Sequence, residues 1–190
     1  MARKQEFERE DVIDSAMTLF WIQGCQATTP MQLITEMKLS KSSLYNTFQS
    51  KKKLYLECLQ TFIDQRVSVY RKIFEGNDFP VALDLMFKRH LDALAIKNRR
   101  GCFIVNSAIE LSPHDTEVEA LVRQGFQRIE NVISKGLVKA QEQGLVSKNH
   151  QAEALAKFFL SSSNGLSVMS KSNPERESLE KIVKIILSVL

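Results

Sequence analysis

The chain has 190 residues, of which 25% are charged and 44% apolar, and a net charge of +4. That length suits one small domain and one larger one, and the apolar share suits a soluble globular protein with a real core. No apolar run approaches a membrane span and the N-terminus, MARKQEFERED, lacks the apolar segment of a signal peptide, so the chain is expected in the cytoplasm with no membrane partner. Cys25, Cys58 and Cys102 form no CxxC pair, and their odd number argues against a secreted disulfide framework. His90, His114 and His150 are dispersed without metal-ligand spacing, so neither a metal nor a cofactor is expected. Enzyme signatures such as GxSxG, GxxxxGK[ST] and GxGxxG do not occur.

In chain order, the short basic arm Ala2 to Lys4 reads either as a segment trailing along DNA or as a frayed terminus. From about Phe7 to Gln23 the apolar residues Val12, Ile13, Ala16, Leu19 and Phe20 recur at helical spacing and stop at Gly24; Trp21 reads as packing. Thr29 and Pro30 then supply a cap and a first-turn proline, with Gln32 placed for a capping box. Leu33, Ile34 and Met37 form the apolar side of a short helix, and Leu39 anchors the bend after it. Ser40 caps the next helix. On it Leu44 and Phe48 lie one turn apart and can face inward, which leaves Lys41, Ser42, Tyr45 and Asn46 on the other side. So polar a helix buries too little to exist for stability alone.

Ser50 caps a third start, followed by Lys51, Lys52 and Lys53. Positive charge at a helix N-terminus opposes the macrodipole by about 0.3 to 1 kcal/mol per charge, so something anionic should compensate. Between Lys38 and Lys53 there are five lysines and no acid. They are interleaved with Ser, Thr, Tyr and Asn, all types that contact phosphate. A solvated basic face would look similar when isolated, but here the run abuts two short capped helices, and the reading is double-stranded DNA.

The segment from Gly24 to Leu54, and above all S-K-x-x-L-Y-x-x-F-x-S-K over Ser40 to Lys51, resembles the DNA-binding domain of TetR-type transcriptional regulators. The resemblance departs at Lys38, where the turn usually carries Gly, and at Ser42, where the recognition helix often does. It implies an all-α fold: a three-helix DNA-binding domain with a helix-turn-helix over residues 1–53, and a helical bundle for effector binding and dimerisation over 54–190. The implied function is a sequence-specific regulator, a repressor released from a palindromic operator by a small molecule or an oxidant or electrophile. Phosphate contacts are expected from Thr29, Tyr45, Lys51 and Lys52, and base-edge contacts from Lys41, Ser42, Ser43 and Asn46, with Ser40 beside them at the cap. The rival reading is a helical protein-interaction module with a degenerate head, which Lys38 in the turn would favour. A remoter one is a thiol-dependent enzyme built on Cys102.

The lysine-headed helix continues for about six turns through Leu54, Leu59, Phe62, Ile63, Val67, Tyr70 and Phe74, with Cys58 as packing, to a loop at Glu75 to Phe79. The resemblance makes this helix the lever between DNA and effector. Pro80, Pro113 and Pro174 punctuate the rest of the chain, with Ser112 and Asn173 as caps. Helices are expected at about Val81 to Lys97, Cys102 to Leu111, His114 to Gln143, Asn149 to Ser170 and Pro174 to Val189. Phe62, Tyr70, Met86, Phe87, Phe103 and Phe126 read either as core or as the lining of an effector cavity, with His90 a further candidate. In the segment Arg99 to Glu110, Gly101 is expected as a cap and Cys102 in the first turn, which would favour a thiolate. Cys102, Asn106 and Glu110 then share a face and can meet an effector or simply bond neighbouring helices; Cys102 reads as a sensor or as a buried inert thiol. Cys25 falls in the bend after the first helix.

The last two helices are the expected homodimer surface. Leu155, Phe158, Phe159, Leu166 and Met169 are interspersed with small residues including Ser162, which let helices approach closely. Ile182, Val183 and Ile186 lie on one face of the final helix. Two such helices per subunit would make a four-helix bundle about a twofold axis, unless both faces are buried within one subunit.

Overall fold

The computed structural model describes residues 8–94, 100–172 and 175–190. Among them the chain forms nine α-helices, a single 3₁₀ turn and no strand. They divide into two compact units, residues 1–62 and 63–190, with the division falling inside one helix rather than after Lys53. The expectations for Ala2 to Lys4, Phe7, Lys97, Arg99, Asn173 and Pro174 lie outside the described residues.

The first unit is built from α1 (Arg9–Gln23), α2 (Pro30–Glu36), α3 (Lys41–Phe48) and the start of α4 (Lys51–Gly76). Its core follows the spacing of the apolar residues: Val12, Ile13, Ala16, Phe20 and Trp21 of α1 meet Leu33, Leu44, Phe48, Leu54, Tyr55 and Leu59, all buried. Two edge-to-face pairs lock α1 onto α4, Phe20 with Tyr55 at 5.1 Å and Trp21 with Phe62 at 4.8 Å. Phe62 is therefore part of this core. Arg9 adds a forked ion pair to Glu57, at 2.7 and 2.8 Å, while its guanidinium lies 4.8 Å from the centre of the Phe48 ring. Glycine ends α1: Gly24 has φ 87°, where a side chain would be strained.

The turn from α2 to α3 closes without glycine. Lys38 takes φ 54°, its N–H reaches the carbonyl of Thr35 at 3.3 Å, and the N–H of Leu39 reaches that of Ile34 at 3.1 Å. These are the two bonds of a Schellman motif. Leu39 and Met37 are buried against the head, which holds the motif closed around an unfavourable residue. A second non-glycine residue, Gln49, sits at φ 63° and ψ −43°, with Ser50 N–H bonded back to Phe48 O at 2.7 Å, a strained three-residue turn between α3 and α4.

The second unit contains the rest of α4, then α5 (Phe79–Leu94), α6 (Phe103–Glu110), α7 (Thr116–Glu142), α8 (Ala152–Met169), the 3₁₀ turn Ser170–Ser172 and α9 (Arg176–Leu187). Helix α7 packs along α8 and α6, and α9 packs on α5. At Gly125 an added Cβ would lie 2.8 Å from Cδ1 of Ile63, so α7 approaches α4 as closely as two backbones and one isoleucine allow. Asp64 and Arg128 join the same two helices at 2.6 Å.

Several helix starts differ from the sequence expectation. Asp115, not Ser112, caps α7, its carboxylate accepting from the N–H groups of Glu117 and Val118, so Pro113 falls in a turn before the helix. Cys102 is itself the N-cap of α6, with Gly101 before it at φ 66°. Pro80 falls in the first turn of α5, which begins one residue earlier. The expected dimer surface also divides. Leu155, Phe159, Leu166, Val183 and Ile186 are buried inside the chain, because α7 covers one face of α8 and α5 covers one face of α9. Ser162 and Ile182 are half-buried. Phe158 and Met169 remain exposed, at 40% and 44%, with Val168, Ile185 and Val189 also exposed.

Replacing Lys38 or Gln49 with glycine removes left-handed strain, and each change is expected to stabilise the head by about 0.5 to 1 kcal/mol. Urea unfolding followed by the Trp21 fluorescence measures it; an unchanged or lower midpoint would show that these turns are unstrained.

Candidate nucleic-acid interface and interior cluster

Helix α3 has two unlike sides. Leu44 and Phe48 are buried, while Lys41, Ser42, Tyr45 and Asn46 are exposed and Ser43 is half-buried. The head's own packing rests on the inner side, and Tyr45 keeps 39% of its surface in water. The N-terminus of α3 carries three linked hydroxyls. Ser40 Oγ accepts from the N–H of Ser43 at 3.0 Å and lies 2.9 and 2.8 Å from the hydroxyls of Ser42 and Ser43. Ser40 thus fixes the start of the helix and orients the two serines beside it, while the free N–H groups of the first turn favour an anion.

The surrounding residues have more structural duties than the sequence implies. Thr29 and Gln32 form a complete capping box on α2: the Gln32 N–H donates to Thr29 Oγ1 at 3.3 Å, and the Thr29 N–H donates to Gln32 Oε1 at 2.8 Å. Lys51, expected at a phosphate, places its ammonium on the backbone instead, donating to the carbonyls of Cys25 at 2.9 Å and Thr28 at 3.0 Å. These belong to the bend between α1 and α2, so Lys51 positions that bend on the start of α4. Lys53 bonds Gln49, and Lys52 is exposed. One residue escapes the sequence reading: Met31, in the first turn of α2, is 69% exposed. Its position, two before Leu33 and six before Met37, already sets it off the buried face. The two other thiols are withdrawn: Cys25 and Cys58 are buried, Cys58 donates to Ile13 O at 3.6 Å, and burial pushes its thiol up.

The second unit brings together a polar cluster inside its helices. The Nε2 of His90 lies 3.0 Å from the carbonyl of Ser163 and 2.9 Å from Ser167 Oγ, while that hydroxyl is itself 3.0 Å from the Ser163 carbonyl. The network is satisfied with the proton on Nε2, and Nδ1 is then a buried acceptor with no hydrogen-bond partner. Burial pushes His90 down to about 3, with the nearby Arg66 guanidinium adding to the effect. Arg66 donates to the Tyr70 hydroxyl at 3.2 Å and interacts electrostatically with Cys102 and Arg100. Asn106 donates to the Arg100 carbonyl at 2.8 Å, which ties it to its own segment. Tyr70, Met86, His90, Cys102 and Phe103 are buried, and Asn106, Glu110 and Phe126 are partly exposed. Arg66, one turn before Tyr70, is not visible as a site residue from sequence, because an arginine on a long helix reads as solvated.

These contacts have two measurable consequences. Lys51→Met leaves two carbonyls without their charged donor and is expected to destabilise the head by about 1.5 to 3 kcal/mol, read by urea unfolding; a loss of DNA affinity with unchanged stability would restore the phosphate role. For His90, the folded protein keeps the ring neutral down to about 3, whereas the unfolded chain protonates below its ordinary 6.5. Unfolding then takes up a proton, so His90's contribution is whole above pH 6.5 and falls as pH drops toward 3. Unfolding curves across that range should be flatter in pH for His90→Gln; equal slopes would place the ring in water.

Residues 12–58 match the family model described as bacterial regulatory proteins, tetR family, and residues 82–186 match that of a tetracyclin repressor-like C-terminal domain. The chain is 28% identical to the HTH-type transcriptional regulator YezE of Bacillus subtilis over 100% of both chains. It is 26% identical to the HTH-type transcriptional repressor ComR of Escherichia coli, over 96% of this chain and 87% of that one. Among solved structures, the TetR family regulator CifR, a cysteine mutant complexed with 26-bp double-strand operator DNA, superposes with a TM-score of 0.88 at 23% identity, covering 98% of each chain. With one family model on the helix-turn-helix head and another over most of the second unit, the chain belongs to the TetR family and is a DNA-binding transcriptional regulator.

Proposed function

We propose that this regulator is a repressor, working in the cytoplasm as a homodimer on a roughly palindromic operator and released by a small-molecule effector. The observation that carries the reading is the outer side of α3, where Lys41, Ser42, Tyr45 and Asn46 stand exposed on a helix pinned from behind by Leu44 and Phe48. Lys41, Ser42 and Asn46 meet base edges, while Tyr45 and Lys52 meet phosphates. ComR is named a repressor, which supports the sign of regulation.

The dimer surface is the exposed part of the last two helices. Phe158, Ser162, Gly165 and Met169 follow one another along one side of α8, and Gly165 has open space where a side chain would stand. Ile182, Ile185 and Val189 make the matching stripe on the C-terminal segment, with Ile185 70% exposed. Paired about a twofold axis, such faces bury apolar surface that no described residue covers. Two recognition helices would then be set about 34 to 36 Å apart, or somewhat further, for successive major grooves. The effector enters at the cluster of Tyr70, His90, Cys102 and Asn106. A thiol-reactive signal at Cys102 is the second reading, supported by the place of that thiol at the N-cap of α6.

The experiment is titration of the purified protein onto DNA upstream of its own coding region at two salt concentrations. Selective binding that weakens steeply with salt is expected; binding indifferent to sequence would defeat the repressor reading. Tyr45→Phe should lower affinity about fivefold on every sequence, and Ser42→Ala should shift base preference instead, so the reverse pattern would overturn the assigned roles. Adding a thiol alkylator to the complex, with Cys102→Ser alongside, separates the two kinds of signal.

A further inference from the structure

A groove of about 470 Å³ opens on the second unit between the C-terminal halves of α4 and α7. We propose that it binds an amphipathic organic anion, a compact apolar body carrying a carboxylate, sulfonate or phosphate, at a site separate from the Tyr70–His90 cluster. Along α4 the groove residues Val67, Arg71 and Phe74 are centred about 100° round the helix from Arg66 and Tyr70, so the two sites use different sides of it.

The floor is apolar. Val67 is buried, and Phe74 and Val132 are half-buried. Gly136 contributes no side chain: a Cβ there would sit 3.0 Å from Phe79 and 3.1 Å from Phe74, so bare backbone closes against the rings. The rim is basic. Arg71 projects from α4, and Lys135 and Lys139 stand one turn apart on α7. Among the described residues none of these three side chains has an ion pair, whereas Arg128 at the same groove is held by Asp64 at 2.6 Å. Glu75 is the acid that lines the groove without such a partner.

An exposed lysine face by itself is ordinary. Here two like charges at i and i+4, which repel, converge with an arginine from another helix over a concave apolar floor within the size range of small-molecule sites. A neutral apolar molecule would gain the floor and leave the charges unanswered. An inorganic anion would gain the charges and leave the floor wet. An anion with an apolar body satisfies both.

The probe is 8-anilinonaphthalene-1-sulfonate, with neutral N-phenyl-1-naphthylamine as its uncharged counterpart, titrated into the full chain by fluorescence. The variant Arg71→Gln/Lys135→Gln/Lys139→Gln changes exposed positions and should keep the unfolding midpoint. Expected are saturable binding of the sulfonate, about tenfold weaker in the variant and weakened by salt, and binding of the neutral amine that the variant leaves unaltered. Equal sulfonate affinity in the two proteins would overturn the proposal. So would an equal loss for the neutral amine, or displacement by inorganic phosphate beyond that of chloride at matched ionic strength, since the groove would then lack either the charge or the apolar requirement.

Discussion

The head depends on where the ammonium of Lys51 goes. Three lysines at the start of α4 oppose that helix's dipole, and one of them turns back onto the carbonyls of Cys25 and Thr28. Those carbonyls lie in a bend where the backbone has left one helix and not yet entered the next, and there a charged donor is worth most. One contact therefore eases the charge at α4 and fixes the entrance to α2. The Thr29–Gln32 box then starts α2 at a set place, the Schellman turn at Lys38 ends it, and Ser40 starts α3. Each junction hands a defined direction to the next, and the last direction is that of the exposed side of α3.

The second unit solves a different problem. Its helices are long enough to bury polar side chains, and it pairs them with carbonyls inside its own layers. His90 shows how: one ring nitrogen is satisfied by Ser163 and Ser167, both on α8, while the other faces the interior without a hydrogen bond. A neutral imidazole is tolerated there because charging it would be opposed by burial and by Arg66 together. The cluster is consequently a place where polarity is concentrated without a compensating acid on the ring itself.

Legibility in the sequence tracks the range of the interaction. The caps at Thr29, Ser40 and Ser50 are read from residues three positions apart, and each of these side chains accepts the expected backbone N–H. The inward Leu44 and Phe48 follow from one turn of spacing. Lys51 is illegible because its partners lie 23 and 26 residues away and are carbonyls, which no residue type advertises. Asp115 takes the place of Ser112 as the cap of α7, one of its oxygens accepting from the N–H groups of both Glu117 and Val118. The apolar stripes of α8 and α9 are legible as stripes only: Phe158 and Phe159 are adjacent in sequence, and nothing short of α7's position says which one meets the core.

Gly125 carries the spacing of two helices in a single position. Because the isoleucine of α4 occupies the room that a methyl on α7 would need, the separation of α4 from α7 there is set by an absent atom rather than by the sum of many contacts. Gly136, farther along the same helix, repeats the device beside the groove, where a Cβ would sit 3.1 Å from Phe74 of α4.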